Sequence, residues 1–388
     1  MIRIPPRCRA EIDLTALECN YKEIRKQIGN AKLIAVVKSN AYGHGARLVS
    51  QRLAELGTDL FAVAELREAL ELRSFGIAQP ILILGATAPR YVEVLAQHAL
   101  LQTVYSEEYG LSLGKAAQQA GVSIGCHLKI DAGMGRLGFR AEHASVEAIT
   151  RVFAQPALRR EGVYMHFPSA DLDGDPDGSI TRRQFNAFAA LTDELARRGL
   201  TFAMHHAGNS AAILSKEYAH LDAVRAGIIL YGCPPAQSLA QAMQYHPVMR
   251  FCADITLVKD VQEGDTVSYG MTFRAPKPMR IATVAVGYAD GYFRSLSSKG
   301  IVTVNGNRCP VLGRVCMDQL MIDVTDIDCK AGDTAVLFGE GGISCEEYAT
   351  LADTVNYEVI CSIGHRVARM YLQNGEPIET ESYLNCTL

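Results

Sequence analysis

The sequence lacks the segments that would attach a protein to a membrane or to a polyanion. No apolar run reaches the length of a membrane span, and the opening residues MIRIPPRCRAEIDL contain no continuous apolar stretch of the signal-peptide kind. Basic residues are scattered without interleaved aromatics, and the formal net charge is −4. We therefore expect a cytoplasmic protein that binds neither nucleic acid nor membrane.

Closely spaced cysteine pairs are also missing. The eleven cysteines run from Cys8 to Cys386 and form no CxxC pair, the spacing that is typical of zinc and redox sites. An odd number of widely spread cysteines does not fit a closed disulfide framework. The sequence predicts reduced thiols and no metal site.

Alternating strand-like and helix-like stretches occupy the first part of the 388-residue chain. Eight short apolar runs are separated mostly by amphipathic helical patterns. The runs are residues 33–37, 60–64, 81–84, 101–105, 127–131, 163–167, 202–207 and 223–227. Eight strands in about 240 residues match a (β/α)8 barrel of the TIM type. A doubly wound sheet is the alternative, because strand order cannot be read from sequence; the count of eight favours the barrel.

After YGCPP (231–235) the residue pattern of the sequence changes. Short β-branched stretches bounded by Gly, Asn or Asp, such as DTVSYGMTF and IVTVNGNRCPVLG, are typical of an antiparallel β domain. The fold class we expect is α/β plus all-β. It divides into a barrel over residues 1–240 and a C-terminal antiparallel β domain over residues 241–388.

Several of the predicted barrel strands end in polar residues. They are Lys38, Asp131 with Arg136, His166, His206 with Asn209, and Arg225. The carboxyl ends of barrel strands carry the active site, so five polar strand ends on one rim indicate a site. Burial at the end of IAVV would lower the pKa of the Lys38 ammonium and make it a nucleophile or base. A structural, ion-paired lysine remains the alternative.

The segment AVVKSNAYGHG, preceded by AEIDLTALECNYKEIR, resembles the pyridoxal 5'-phosphate attachment segment of the alanine racemase family. The resemblance covers almost the whole chain. It implies that Lys38 carries the cofactor covalently and that Tyr42 helps to hold its phosphate. LKIDAGMGRLGF is similar to the family segment whose arginine, here Arg136, contacts the cofactor's phenolic oxygen and the substrate. The lysine that corresponds to Lys129 is often carbamylated in relatives, and the carbamate holds that arginine in position.

Further cofactor contacts follow from HAGNSAA, VRAGIILYG and VNYEV, which resemble family segments. The matching positions are Asn209, Ser210, Gly227, Ile228 and Tyr357 at the phosphate end, Arg225 at the pyridine nitrogen, and His166 beside that arginine. An arginine stays protonated, so it would leave the ring nitrogen unprotonated and the cofactor a weaker electron sink than an aspartate partner would.

The C-terminal part resembles the family in VSYGMTF, VGYADGY and GRVCMDQ. The resemblance implies that Tyr269 is a second acid/base, that Tyr288 lies at the entrance, and that Met317 and Asp318 contact the substrate. In relatives the tyrosine base and the Met-Asp pair reach the neighbouring subunit's site. The resemblance therefore implies a homodimer with two shared active sites.

The activity implied by the resemblance is a PLP-dependent, two-base interconversion of L- and D-alanine, an isomerase reaction that supplies D-alanine for peptidoglycan in the cell wall. Lys38 would take the proton from the D-isomer and Tyr269 from the L-isomer. A serine or broader-specificity racemase is the alternative within the family; such relatives often carry asparagine at the position of Tyr357. A non-catalytic PLP-binding protein is the alternative outside it, although such proteins resemble the barrel alone.

Overall fold

Eight parallel strands close into a barrel in the computed structural model, which describes residues 6–171, 175 and 178–384. The barrel strands are β2 (Lys32–Val36), β3 (Leu60–Val63), β4 (Ile81–Ile83), β5 (Leu100–Val104), β6 (Ile124–Asp131), β8 (Leu158–Tyr164), β9 (His205–His206) and β10 (Ala223–Ala226). Each pairs in parallel with the next, and β10 pairs with β2, which closes the sheet. This confirms the predicted barrel. A two-residue strand, β7 (Phe139–Arg140), adds to the end of β6.

Helices alternate with these strands. They are α1 (Leu14–Ile28), α3 (Ala46–Glu55), α4 (Leu66–Ser74), α5 (Val92–Gln97), α6 (Glu107–Gln119), α7 (Ser145–Phe153), α8 (Ser179–Arg197) and α9 (Ser210–Ser215), with the short turn α2 (Lys38–Tyr42) after β2. Helix α7 buries Val146, Ile149 and Val152, which are spaced three residues apart and therefore lie on one face of the helix. No helix in the described ranges is long and apolar enough to cross a membrane.

A second sheet, mostly antiparallel, makes up the C-terminal part. Its C-terminal strands are β11 (Met249–Val261), β14 (Met279–Val284), β15 (Ile301–Val304), β16 (Asn307–Pro310), β17 (Leu320–Asp323), β18 (Thr334–Phe338), β19 (Ala368–Gln373) and β20 (Glu376–Glu381). A small hairpin joins β12 (Thr266–Val267) to β13 (Phe273–Arg274). Two helices, α10 (Cys345–Ala352) and α11 (Asn356–Cys361), lie between β18 and β19. The expectation of a β-rich C-terminal part is confirmed.

The first strand, β1 (Cys8–Asp13), belongs to this second sheet. It pairs antiparallel with β11 and parallel with β19, which is the only parallel pairing in the sheet among the described residues. The start of the chain therefore packs with its end, and α1 then leads into the barrel. Local periodicity could not indicate this pairing, because the partner strands are distant in sequence.

Candidate active site

The carboxyl ends of the barrel strands surround a cavity of about 550 Å³. It is lined by all the residues that the resemblance assigned to the cofactor, and also by Lys129. The cofactor residues are Lys38, Tyr42, Arg136, His166, Asn209, Ser210, Arg225, Gly227, Ile228 and Tyr357. Tyr357 comes from α11 and the others from the barrel and its loops. The fold thus gathers residues from six sequence segments at one cavity. Cys361 and Tyr164, which the sequence analysis did not assign, line it as well.

Lys38 begins a left-handed turn two residues after the end of β2. Ser39, Asn40, Ala41 and Tyr42 have φ values of 54, 53, 51 and 52°. Each such non-glycine residue costs roughly 1–2 kcal/mol, so the surrounding structure must hold the turn in place. One restraint is the hydrogen bond of 2.7 Å in which Asn40 Oδ1 accepts from the Ala46 amide.

The Lys38 side chain is half-buried at the cavity wall. In the described part of the chain its Nζ makes no ion pair with a carboxylate. The alternative of a structural, ion-paired lysine therefore finds no support, and the amine is available for chemistry at the cavity.

One end of the cavity suits a phosphate group. The Gly227 amide donates to Ser210 Oγ over 2.9 Å, and a Cβ added at Gly227 would lie 2.8 Å from Tyr42 Oη. Glycine therefore leaves a space edged by hydroxyl groups that any other side chain would fill. Burial raises the pKa of Tyr42 and of Tyr357 above the ordinary value, so both phenols stay protonated and can donate to an anion. These residues fit the phosphate of pyridoxal 5'-phosphate.

Arg225 lies buried at another wall of the cavity. Its Nη2 donates to the Met165 carbonyl over 2.8 Å, and its Nη1 donates to the His206 carbonyl over 3.2 Å. Burial lowers the pKa of Arg225 to about 10, which leaves it protonated at neutral pH. His166 Nδ1 lies 3.4 Å from Nη2, as expected for a residue beside this arginine. A fixed cation here fits an unprotonated ring nitrogen.

Two buried histidines extend the contacts of Arg225. The sequence analysis named His206 only as one of the polar strand ends and did not single out His127. Arg225 Nη1 lies 3.0 Å from His206 Nδ1, and His206 Nε2 lies 2.9 Å from His127 Nδ1. Arginine only donates, so His206 Nδ1 accepts and its Nε2 carries the proton to His127. Burial lowers the pKa of both rings, so both are neutral. The alternation of side chains along a strand could have indicated His127, because it lies two residues before Lys129 and therefore on the same face of β6.

Lys129 and Arg136 flank a tight loop at the end of β6. Asp131 organises this loop: its Oδ1 accepts from the Gly133 amide and its Oδ2 from the Arg136 amide, each over 2.9 Å. Lys129 is buried, and its Nζ donates to the Ile130 carbonyl. Burial and the nearby Arg225 cation lower the pKa of Lys129 to about 7. A substantial share of this amine is unprotonated, and therefore nucleophilic, at neutral pH.

The remaining assigned residues lie apart from this cavity. Tyr269, Tyr288, Met317 and Asp318, which we call the C-terminal patch, belong to the second part of the chain, and none lines the cavity in the described structure. Tyr269 is 69% exposed and Met317 is 52% exposed. The Tyr288 amide donates to the Cys316 carbonyl over 3.0 Å, and Arg366 Nη2 donates to Asp318 Oδ1 over 2.6 Å.

Comparisons with known proteins agree over both parts of the chain. Residues 12–235 match the family described as alanine racemase, N-terminal domain, and residues 248–371 match alanine racemase, C-terminal domain. An alanine racemase of Desulforamulus reducens is 44% identical over 366 residues, which cover 94% of this chain and 98% of that one. One of Methanococcus maripaludis is 43% identical over 370 residues, covering 94% and 98%.

Solved structures give the same result. The alanine racemase of Clostridium difficile 630 superimposes with a TM-score of 0.93 at 37% identity, covering 98% of this chain and 100% of that one. The alanine racemase of Bacillus anthracis, solved with bound L-Ala-P, gives a TM-score of 0.93 at 36% identity, covering 99% and 100%.

Proposed function

This chain belongs to the alanine racemase family, and we propose that it interconverts L- and D-alanine by a two-base reaction in which Lys38 and Tyr269 act on opposite faces of the substrate. The observation that carries the proposal is the gathering of the family's cofactor contacts around Lys38 in the barrel mouth. Isomerisation of alanine is the activity after which the family and its full-length relatives are named.

Pyridoxal 5'-phosphate is the cofactor we propose. Lys38 would bind it covalently, Tyr42, Asn209, Ser210, Gly227, Ile228 and Tyr357 would hold its phosphate, and Arg225 would hold its ring nitrogen. When bound, the group supplies an electron-withdrawing ring that acidifies the Cα–H bond of an attached amino acid. Arg136, positioned through its amide by Asp131, would contact the phenolic oxygen and the substrate.

Two residues move the proton. Tyr269 Oη takes the Cα proton of L-alanine on one face, and Lys38 Nζ returns a proton on the other face, which gives D-alanine. The reverse reaction exchanges the two roles. Each turnover leaves one base with an added proton and the other without one, and exchange with solvent restores both, so no proton is gained or lost overall. Two bases are needed because a single base returns the proton to the face from which it came.

A homodimer with shared active sites would bring the bases together. Tyr269 lies on an exposed surface of the C-terminal patch and does not line the cavity of its own chain. Exposed apolar side chains grouped with charged ones are typical of interaction surfaces. We propose that the patch of each subunit enters the other subunit's cavity, with Met317 and Asp318 at the substrate and Tyr288 at the entrance.

Lys129 is the residue we propose for carbamylation. Its unprotonated amine would attack carbon dioxide, form an N–C bond and release a proton, which leaves an anionic carbamate in place of a cation. The pKa of about 7, lowered by burial and by Arg225, provides the required neutral amine. A carbamate would pair with Arg136, whereas an ammonium repels it.

Four further proposals concern specificity, biological role, location and the domain boundary. Tyr357 lines the cavity where serine-racemising relatives often carry asparagine, which favours alanine as the substrate. The product would supply peptidoglycan synthesis, and we place the enzyme in the cytoplasm. We keep a division of the chain near residue 240, which is supported by family matches that end at residue 235 and begin again at residue 248.

Hydrogen exchange in D₂O tests the two-base reaction. The wild type should convert L- to D-alanine and exchange the Cα hydrogen of both isomers, as followed by chiral chromatography and NMR. Tyr269→Phe should lose racemisation by roughly 10²–10⁴-fold. It should still exchange the Cα hydrogen of D-alanine without inversion, because Lys38 remains.

The matched control is Tyr91→Phe, which removes another exposed phenol and should behave as the wild type. Equal exchange of both isomers by Tyr269→Phe would contradict the assignment of the bases. A wild type that forms no D-alanine would contradict the function itself.

A further inference from the structure

A second cavity, of about 590 Å³, lies where the barrel meets the C-terminal sheet. It shares no lining residue with the Lys38 cavity in the described structure. On its wall the sulfur atoms of Cys233 and Cys345 and a carboxylate oxygen of Glu346 all lie within 4.8 Å of one another. Both cysteines are buried, and neither forms a disulfide. The alanine racemase reaction uses none of these groups.

Asn356 contacts the side chains of Cys345 and Glu346 and the backbone next to Cys233. Its Nδ2 donates to the Pro234 carbonyl, next to Cys233, over 2.8 Å and to Glu346 Oε1 over 3.1 Å. Cys345 Sγ in turn donates to the Asn356 carbonyl over 3.7 Å. A single buried residue thus links the loop after the barrel to the start of α10. The cluster is fixed by the fold and does not depend on flexible surface side chains.

We propose that Cys233, Cys345 and Glu346 bind one Zn²⁺ ion per chain, with a water molecule from the cavity as the fourth ligand. Two thiolates and a carboxylate are ligands that Zn²⁺ accepts in tetrahedral geometry, whereas Mg²⁺ and Ca²⁺ require more oxygen atoms. On binding, each thiol releases its proton to solvent and forms a sulfur–zinc bond. The adjoining cavity gives the ion a route of entry and leaves room for the water.

His44 is a second, independent sign of a ligand in this cavity. It is fully buried and lines the same cavity. Its Nδ1 lies 2.9 Å from the Tyr42 carbonyl and therefore carries the ring proton, which makes Nε2 an acceptor. Nε2 has no hydrogen-bond partner among the described residues. A donor bound in the cavity, such as an ordered water molecule, would supply the missing hydrogen bond.

Zinc titration of the purified full-length chain tests the proposal. Reduced, chelator-treated protein is titrated with Zn²⁺ alone, and bound zinc is measured by elemental analysis after desalting. We expect one equivalent per chain and a higher melting temperature with zinc than without it. Cys233→Ser and Cys345→Ser should lose this equivalent. Glu346→Gln, which keeps both thiols and the side-chain volume, should lower the zinc affinity about tenfold or more.

The matched control is Cys19→Ser, because Cys19 is a thiol on the same cavity wall outside the cluster. It should keep the equivalent of zinc. Absence of bound zinc in the wild type, or equal zinc retention by Cys233→Ser and Cys19→Ser, would overturn the proposal. A Cys233–Cys345 disulfide found by mass spectrometry in the reduced preparation would also overturn it, in favour of a redox pair. Racemase activity enters none of these measurements, so the zinc site and the proposed function fail separately.

Discussion

Lys38→Ala and Tyr269→Phe should each be inactive alone but should complement one another when the two variant chains assemble together. The reason lies in the positions of the two residues. Lys38 lines the barrel cavity, whereas Tyr269 is 69% exposed and does not line the cavity of its own chain. If Tyr269 acts on a partner's cavity, a mixed dimer contains one site with both bases intact and one site with both replaced.

The expected recovery follows from this geometry. Random assembly of equal amounts makes half of all dimers mixed, and each mixed dimer has one intact site of two. About a quarter of all sites are therefore intact, and the mixture should show about a quarter of wild-type activity. Each variant alone has no intact site.

The assay is D-alanine formation after the two chains are co-expressed with different affinity tags and the mixed dimer is isolated. Isolated mixed dimers should reach about half of wild-type activity, because one of their two sites is intact. Wild-type chains carrying both tags control for the handling. If Tyr269 instead serves Lys38 of its own chain, every site in the mixture contains a defect, and activity at the level of the single variants would refute the reasoning.

Three other substitutions test the cavity itself. Gly227→Ala places a Cβ 2.8 Å from Tyr42 Oη, in the space proposed for the phosphate. With folding checked by circular dichroism, the variant should lose pyridoxal 5'-phosphate on dialysis, as measured by absorbance, and full retention would contradict the phosphate assignment. With ¹³C-labelled bicarbonate, the wild type should give a carbamate NMR signal near pH 8 that fades below pH 6. The signal should fade because the pKa of Lys129 is about 7 and only the neutral amine reacts. Lys129→Met should give no such signal. Tyr357→Asn should raise the ratio of serine to alanine racemisation, and an unchanged ratio would remove Tyr357 from the specificity argument.

The barrel and its rim could be predicted from sequence because both are encoded locally. Most of the barrel strands are short apolar runs, and Lys38, His166 and Arg225 each lie within two residues of a strand's end. Features that depend on contacts between distant segments could not be predicted. The pairing of β1 with β11 and β19 is one example, and the cluster of Cys233 with Cys345 is another. The expectation of no metal site rested on the absence of CxxC spacing. That spacing gives no information about cysteines that are distant in sequence and that only the fold brings together.

The side chains that line the barrel cavity carry a large excess of positive charge. Lys38, Lys129, Arg136 and Arg225 line it, and Asp171 is the one carboxylate among its described lining residues. Burial is the largest cause that lowers the pKa of His166 to about 3, and Arg225 and the other three cations lower it further. Arg225 also lowers the pKa of Lys129. Gathering cations at low dielectric is unfavourable unless anions offset them. A cofactor with a dianionic phosphate and an anionic phenolic oxygen supplies that charge, and a carbamate on Lys129 would replace a cation with an anion. The same electrostatics therefore favours binding of the cofactor and keeps His166 neutral beside Arg225.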